Sequence, residues 1–564
     1  MTAKNPFSEI DKALPQSSRR RFLKGASLAI AAAGAGAALG SKSAAQTTPA
    51  RPAVGPGGST ESKLFYTVET SYGKVQGIVN AGIKEFKGIP YGASTSGKNR
   101  FMPPKRPVPW TGVRESFGYG QICPQTLSNL RSEYGMMIMW DRHNTAGMGE
   151  DCLSVNIWTP GVNDGAKRAV LVSFHGGGYT TGSGNGPGYD GAQLALFGDV
   201  VVVTVNHRLA SYGYTHLAAL GAPPEFASSG VAGIMDLVAS LQWVKDNIEN
   251  FGGDPNRVMI FGQSGGGAKT SAILATPAAK GLFQRAAVQS GSALRFTTRE
   301  TATKAAEQLL AKLEIPKARI ADLQKVSWQQ LLEAQSSITG FTPVMDGIYL
   351  PHHPFDPVAP PESADVPVII STTLEDAALR LTNFNLDEPG LKAILSELYG
   401  NKADQLLPPY RQRYPQKSPY LIQAQAFTDA GGRRSAIAQA ERKAALGKAQ
   451  AYMYLWAWES PGFGGKFGAV HGIDVAASFH QVRDTIVGVG CREGKVMCDR
   501  LASVWVAFAK TGDPNNPQIP RWPCYDTTTR ATMIFDTDTR VENDPRSEIR
   551  KIWEAMPPPR SVAG

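Results

Sequence analysis

Short runs of largely apolar residues recur along the 564-residue chain, and their spacing separates strands from helices. Residues 155–158, 169–174, 200–206 and 258–261 are such runs, rich in Val, Ile and Phe. Runs without polar alternation fit parallel strands covered on both faces. Between the last two, residues 234–248 set Leu237, Leu241, Val244 and Ile248 at helical spacing, which predicts an amphipathic helix. Upstream, residues 64–69, 74–79 and 83–86 are separated by Gly73 and Gly82, and they predict an antiparallel meander. Downstream, residues 366–371, 452–456 and 532–535 predict further strands and 547–554 a terminal helix. Residues 300–335 and 390–445 are helical insertions with few catalytic residue types. The alternation predicts an α/β fold with a large, mostly parallel twisted sheet and helices on both faces.

Two glycine-rich motifs follow predicted strands. After 258–261 stands Gly262-Gln263-Ser264-Gly265-Gly266, a G-x-S-x-G turn leading into a helix start. A serine on such a turn is exposed on a strained backbone, beside the free N–H groups of a helix N-terminus. After 169–174 stands His175-Gly176-Gly177-Gly178-Tyr179, where backbone N–H groups can approach a developing oxyanion. A serine hydroxyl also needs a base, and the base an orienting acid.

Hydrophobic and charged contents of 42% and 19% describe an ordinary globular chain with ample core. Half of the net charge of +10 lies in residues 1–45, with seven Lys/Arg against two Asp/Glu. The remainder has no basic run with interleaved aromatics, which argues against nucleic-acid binding. Ser18-Arg19-Arg20-Arg21-Phe22-Leu23-Lys24, the Ala/Gly-rich stretch 25–40 and Ser43-Ala44-Ala45 resemble a twin-arginine export signal. The expected organisation is a signal over 1–45, a linker over 46–60 and a single domain over 61–564, periplasmic or secreted. No later segment has 18 consecutive apolar residues, so stable membrane insertion is not expected. That compartment permits disulfides among Cys123, Cys152, Cys491, Cys498 and Cys524. None has zinc-ligand spacing, and neither metal nor cofactor is expected.

Further residues give these motifs a family context. They include Phe86-Lys87-Gly88-Ile89-Pro90-Tyr91, Glu150-Asp151-Cys152-Leu153, Asn206-His207-Arg208, Phe251-Gly252-Gly253-Asp254-Pro255 and Gln289-Ser290-Gly291-Ser292-Ala293. With them the chain resembles the type-B carboxylesterases, the para-nitrobenzyl-esterase and cholinesterase-like branch of the α/β-hydrolase fold. The resemblance runs from about Gly73 to the C-terminal helix, and it implies that the helical insertions form a gorge.

The resemblance implies a triad in the order serine, acid, histidine: Ser264, Asp376 and His471. Asp376 lies in Ser371-Thr372-Thr373-Leu374-Glu375-Asp376-Ala377, with Asp where the family usually has Glu, and Glu375 stands beside it as a competing carboxylate. His471 lies in Gly468-Ala469-Val470-His471-Gly472, followed by Asp474. Chain order excludes His175, His207, His216, His352 and His353 as the base, and His480 reads as structural. The implied oxyanion hole uses the N–H groups of Gly177, Gly178 and Gly265. Gly265 replaces the usual alanine and is expected to loosen the elbow; Gln263 replaces the usual glutamate and disfavours cationic substrates.

By the same analogy Cys123 pairs with Cys152, and Glu150–Arg100 and Arg208–Asp236 are buried ion pairs. A Cys491–Cys498 pair has no motif that requires it, and Cys524 is the best candidate for the unpaired thiol. Residues 134–140 read either as local packing or as an adaptable gorge wall. The implied activity is hydrolysis of neutral or apolar carboxylic esters through an acyl-enzyme. An amidase or carbamate hydrolase on the same triad, or a non-catalytic cholinesterase-like binding protein, are the alternatives.

Overall fold

The computed structural model describes residues 64–127, 132–138 and 146–556. The export signal, the linker, and Met139 and Trp140 of the gorge-wall reading lie outside the described residues. Strands β1 (Phe65–Thr70), β2 (Gly73–Asn80), β3 (Ile83–Pro90), β4 (Val113–Glu115), β5 (Ser154–Thr159), β6 (Arg168–Phe174) and β7 (Val201–Val205) come first. They are followed by β8 (Gly253–Gln263), β9 (Arg285–Gln289), β10 (Val368–Thr373), β11 (Ala451–Trp456), β12 (Ala531–Phe535) and β13 (Arg540–Asn543).

All thirteen join one sheet in the order β1-β2-β3-β5-β7-β6-β8-β9-β10-β11-β12-β13, with β4 beside β2. Pairing from β7 through β12 is parallel. The β1–β2–β3–β5–β7 flank and the β12–β13 edge are antiparallel. The sheet is therefore mixed at its edges and parallel at its centre. That matters for function, because crevices beyond the carboxyl ends of parallel strands are where such sheets bind ligands.

The central strands look uniformly apolar, yet alternate residues feed different cores. Val170, Val172, Phe174, Val258 and Ile260 join one buried cluster. Leu171, Met259 and Phe261 join another. Successive side chains of a strand point to opposite faces, so a run with no polar positions supplies both.

The helix Ala232–Asn247 lies within two residues of its sequence expectation, and the terminal helix Ser547–Glu554 coincides with it. Among the elements that the pattern does not predict, a strand and a long helix bear most on the core. Strand β9 is Arg-Ala-Ala-Val-Gln, with little β-branched character; it forms because it fits between β8 and β10. The helix Arg492–Thr511 sends Met497, Leu501, Trp505 and Phe508 into the second core. Its start has no Ser, Thr, Asp or Asn cap; the Cys491 sulfur accepts the Gly494 N–H at 3.3 Å instead.

The expected Cys123–Cys152 disulfide is not formed: both are buried free thiols. Cys152 hydrogen-bonds to Cys123, and this bond and burial raise its pKa well above the ordinary thiol value. The Cys123 sulfur accepts the Leu209 N–H at 3.2 Å. The two sulfurs thus stand as hydrogen-bonded thiols, one of them also engaged by the backbone. Cys491 and Cys498 are likewise unbonded to each other, and Cys524 is an exposed free thiol. The two implied ion pairs are present: Arg208 grips Asp236 at 2.6 and 2.8 Å, and Arg100 grips Glu150 at 2.5 and 2.6 Å. Both are buried, and both guanidinium groups also donate to backbone carbonyls.

Candidate active site

Strand β8 ends at Gln263, and the helix Gly265–Leu274 begins two residues later. Ser264 joins them with φ 59° and ψ −123°, a strained conformation for a residue with a Cβ. It persists because the turn is tied on both sides. The Ser264 N–H donates to Gln289 O at 2.8 Å, and Ser264 O accepts from Ala268 N–H at 3.0 Å.

Gly265 changes the sequence expectation. A Cβ there would lie 2.2–2.5 Å from the backbone of Gly178. The glycine lets the elbow and the loop after β6 press together, so it is a packing requirement and not a loosening. Within that loop Gly177 has φ 85°, and its carbonyl accepts the N–H groups of Thr180 and Thr181. The N–H groups of Gly177 and Gly178 in this turn, and of Gly265 at the start of the helix after the elbow, have no acceptor among the described residues. Three free donors on touching backbones are the arrangement an oxyanion needs.

Behind the loop lies a residue that the sequence reading missed. Lys269 is fully buried, donates to His175 O at 2.9 Å, and has no carboxylate within ion-pair distance among the described residues. Burial pushes its pKa down to about 7. His175 stacks on His207 at 5.0 Å, and burial, aided by the charge of Lys269, holds both imidazoles well below their ordinary pKa. One sequence signal was available: Lys269 is the only charged residue in Gly265–Leu274.

The candidate acid and base stand on the loops that follow β10 and β11, at the same carboxyl-end edge as the elbow. Asp376 follows β10, and its Oδ1 accepts from His471 Nδ1 at 2.7 Å while Thr373 Oγ1 donates to Oδ2 at 3.1 Å. Burial alone would raise the Asp376 pKa, but facing His471 and the Thr373 hydroxyl outweigh it and hold it below the ordinary value. With Nδ1–H committed to Asp376, Nε2 of His471 carries the lone pair. That lone pair accepts the Gln263 side-chain N–H at 3.0 Å. Asp376 and His471 are thus joined directly, and both meet the elbow through the residue before Ser264.

Glu375 turns away from this line. It is fully buried; its Oε1 accepts from Lys417 at 2.5 Å and Gln425 at 2.7 Å, and its Oε2 from the Ala469 N–H at 2.8 Å. Its backbone N–H also donates to Ala469 O at 3.1 Å. Glu375 therefore clamps the loop that carries His471 and makes no contact with the imidazole. On the other side, Tyr134 Oη donates to His471 O at 3.0 Å. Of the suspected gorge wall, Tyr134 anchors the histidine loop, Met137 is buried and Met136 is half exposed.

Asp474 lies behind the dyad, fully buried, with Tyr454 Oη donating to Oδ2 at 2.7 Å and no partner on Oδ1. Burial, reinforced by the charge of Asp376, pushes its pKa up to about 6. His480 instead pairs with Asp499 at 2.8 Å and stacks on Phe197. Among the described residues no three His, Cys, Asp or Glu side chains converge as a metal site, and no helix is long and apolar enough to cross a membrane.

Comparison with known proteins agrees with this architecture. The Carboxylesterase family matches residues 66–553. Para-nitrobenzyl esterase of Bacillus subtilis (strain 168) is 33% identical over 498 residues, covering 86% of this chain and 97% of that protein. Phenmedipham hydrolase of Pseudarthrobacter oxydans is 29% identical, with 84% and 96% covered. Among solved structures, the carboxylesterase of Geobacillus stearothermophilus superposes with a TM-score of 0.73 at 33% identity, covering 86% of this chain and 99% of that one. An esterase of Clostridium hathewayi gives 0.76 at 31% identity, with 87% and 98% covered. The chain belongs to the carboxylesterase family, has the α/β-hydrolase fold, and is a carboxylic ester hydrolase acting on small-molecule esters.

Proposed function

We propose that the ester hydrolysis runs through an acyl-enzyme on Ser264, with His471 as base and Asp376 as its orienting acid. The observation that carries this reading is the position of His471. One ring nitrogen is held by Asp376 at 2.7 Å, and the other, unprotonated, faces the elbow at Gln263. His471 exchanges the Gln263 N–H for the Ser264 hydroxyl proton as Oγ attacks the ester carbonyl. The N–H groups of Gly177, Gly178 and Gly265 receive the oxyanion, and His471 then protonates the leaving alcohol. Water repeats the sequence on the acyl-enzyme while Asp376 stabilises the imidazolium.

Gln263 also bears on substrate. A neutral amide before the nucleophile supplies no attraction for a cation, so neutral or apolar esters are the favoured class. Relatives are named for both kinds of ester, para-nitrobenzyl esters and aliphatic aromatic polyesters on one side and acylcarnitine on the other, so the preference rests on Gln263. The twin-arginine-like leader supports export to the periplasm or beyond, which fractionation of wild-type cells against an Arg19/Arg20→Lys variant tests. For the chemistry, Ser264→Ala is expected to abolish turnover of an activated aryl ester. Retained hydrolysis, or faster turnover of choline esters than of matched uncharged esters, contradicts the respective half of the reading.

A further inference from the structure

A cavity whose lining includes neither Ser264, Asp376 nor His471 lies between the helix Arg434–Ala445 and the terminal helix Ser547–Glu554. Its volume is about 140 Å³. One part of its lining is Arg433, Arg434 and Arg546; another is Ile437, Ile549 and Trp553. A five-residue π-turn, Asp429–Arg433, immediately precedes the first helix, with Gly431 and Gly432 inside it. The wider turn shifts the register at which Arg433 and Arg434 leave the backbone, and such turns recur at functional sites.

The charges around the cavity do not close among themselves. Asp429 is taken by Arg546 at 2.7 and 2.8 Å. Glu441 is taken by Arg530 at 2.7 Å, and Glu554 by Arg550 at 2.6 Å. Arg433 reaches only a shared Asp429 oxygen at 3.8 Å, and Arg434 has no carboxylate partner among the described residues. Arg433 Nη1, Arg434 Nη1 and Arg546 Nε are buried N–H groups without an acceptor. Arg433 is 5% exposed and Arg546 2%. Burial, together with the neighbouring charge of Arg546, lowers the pKa of Arg433, as expected for a cation short of an anion. A buried donor without a partner is costly, and a buried charge more so.

We propose that this cavity is a binding site for a small organic monocarboxylate, its carboxylate on the free N–H groups of Arg433 and Arg434 and its hydrocarbon against Ile437, Ile549 and Trp553. Guanidinium groups match a carboxylate's two oxygens. The apolar lining favours a carboxylate with a short chain over a fully hydrated inorganic anion, and the volume limits the ligand to a few heavy atoms.

Calorimetric titration of the full-length protein with sodium butyrate, at constant ionic strength in chloride, tests the site. Saturable one-to-one binding is expected, unchanged in Ser264→Ala and weakened about tenfold or more by Arg434→Met and by Ile437→Phe, which fills the cavity. Butyramide and inorganic phosphate are expected to bind more weakly than butyrate, a comparison that needs only the wild-type protein. The proposal is overturned by unchanged affinity in both cavity variants, by butyramide or phosphate binding as tightly, or by no saturation. Loss of binding in Ser264→Ala would overturn it too, because butyrate would then occupy the esterase site.

Discussion

The two halves of the candidate active site are held in different ways. On the elbow side, backbone meets backbone: Gly265 and Gly178 are too close for a Cβ, and Ser264 is fixed by main-chain bonds to Gln289 and Ala268. On the acid and base side, long side chains reach across the fold. Lys417, Gln425 and the Ala469 N–H converge on Glu375, and Tyr134 holds the carbonyl of His471. The first half tolerates no added atom, whereas the second tolerates rearrangement at the cost of stability. Adjacent carboxylates make the division plain: Asp376 faces the imidazole, and Glu375 faces the scaffold.

The largest expected effect separates those two acids. Asp376→Asn should lower kcat by about 10⁴-fold, because the imidazole loses the acceptor that sets its tautomer. Glu375→Gln should leave kcat within about tenfold of wild type yet cost roughly 2–4 kcal/mol in stability, since Lys417 keeps only Glu459. Steady-state kinetics beside chemical denaturation reads both, and equal losses of kcat would erase the distinction. Next is the elbow. Gly265→Ala should cost about 10²–10³ in kcat as the new methyl drives the Gly178 loop off the oxyanion position. An unimpaired alanine variant would show that the loops part freely.

The smallest expected effect concerns Asp474. Its folded pKa of about 6 lies above the unfolded value of 3.8, so the native state keeps a proton that the unfolded chain releases. That contribution is full below about pH 4 and is lost as pH rises through 6. Asp474→Asn, which retains an acceptor for Tyr454, should therefore match wild type near pH 4 and gain roughly 2–3 kcal/mol above pH 7. Unfolding curves at the two pH values decide it; a pH-independent difference contradicts the assignment.

The same contrast governs what could be read from sequence. Ser264, Gly177 and Gly178 stand in local motifs, because the turn that positions them is made by the residues beside them. The parallel strands around them were visible for the same reason. Family resemblance pointed to Asp376 over Glu375, but what occupies Glu375 comes from 42, 50 and 94 residues away along the chain. Gly265 looked like a relaxed alanine until the backbone of Gly178, 87 positions upstream, was seen against it. Lys269 was hidden because a lysine in a helix usually reaches solvent. Strand β9 was hidden by its alanines, and the helix Arg492–Thr511 by its sulfur cap.

The central claim, that Ser264 is activated by His471 on Asp376, is tested most directly by covalent labelling. A fluorophosphonate probe, with peptide mapping by mass spectrometry, should mark Ser264 in the wild-type protein and in Glu375→Gln at comparable rates, and Asp376→Asn far more slowly. An adduct on another residue, or equally fast labelling of Asp376→Asn, would contradict the account.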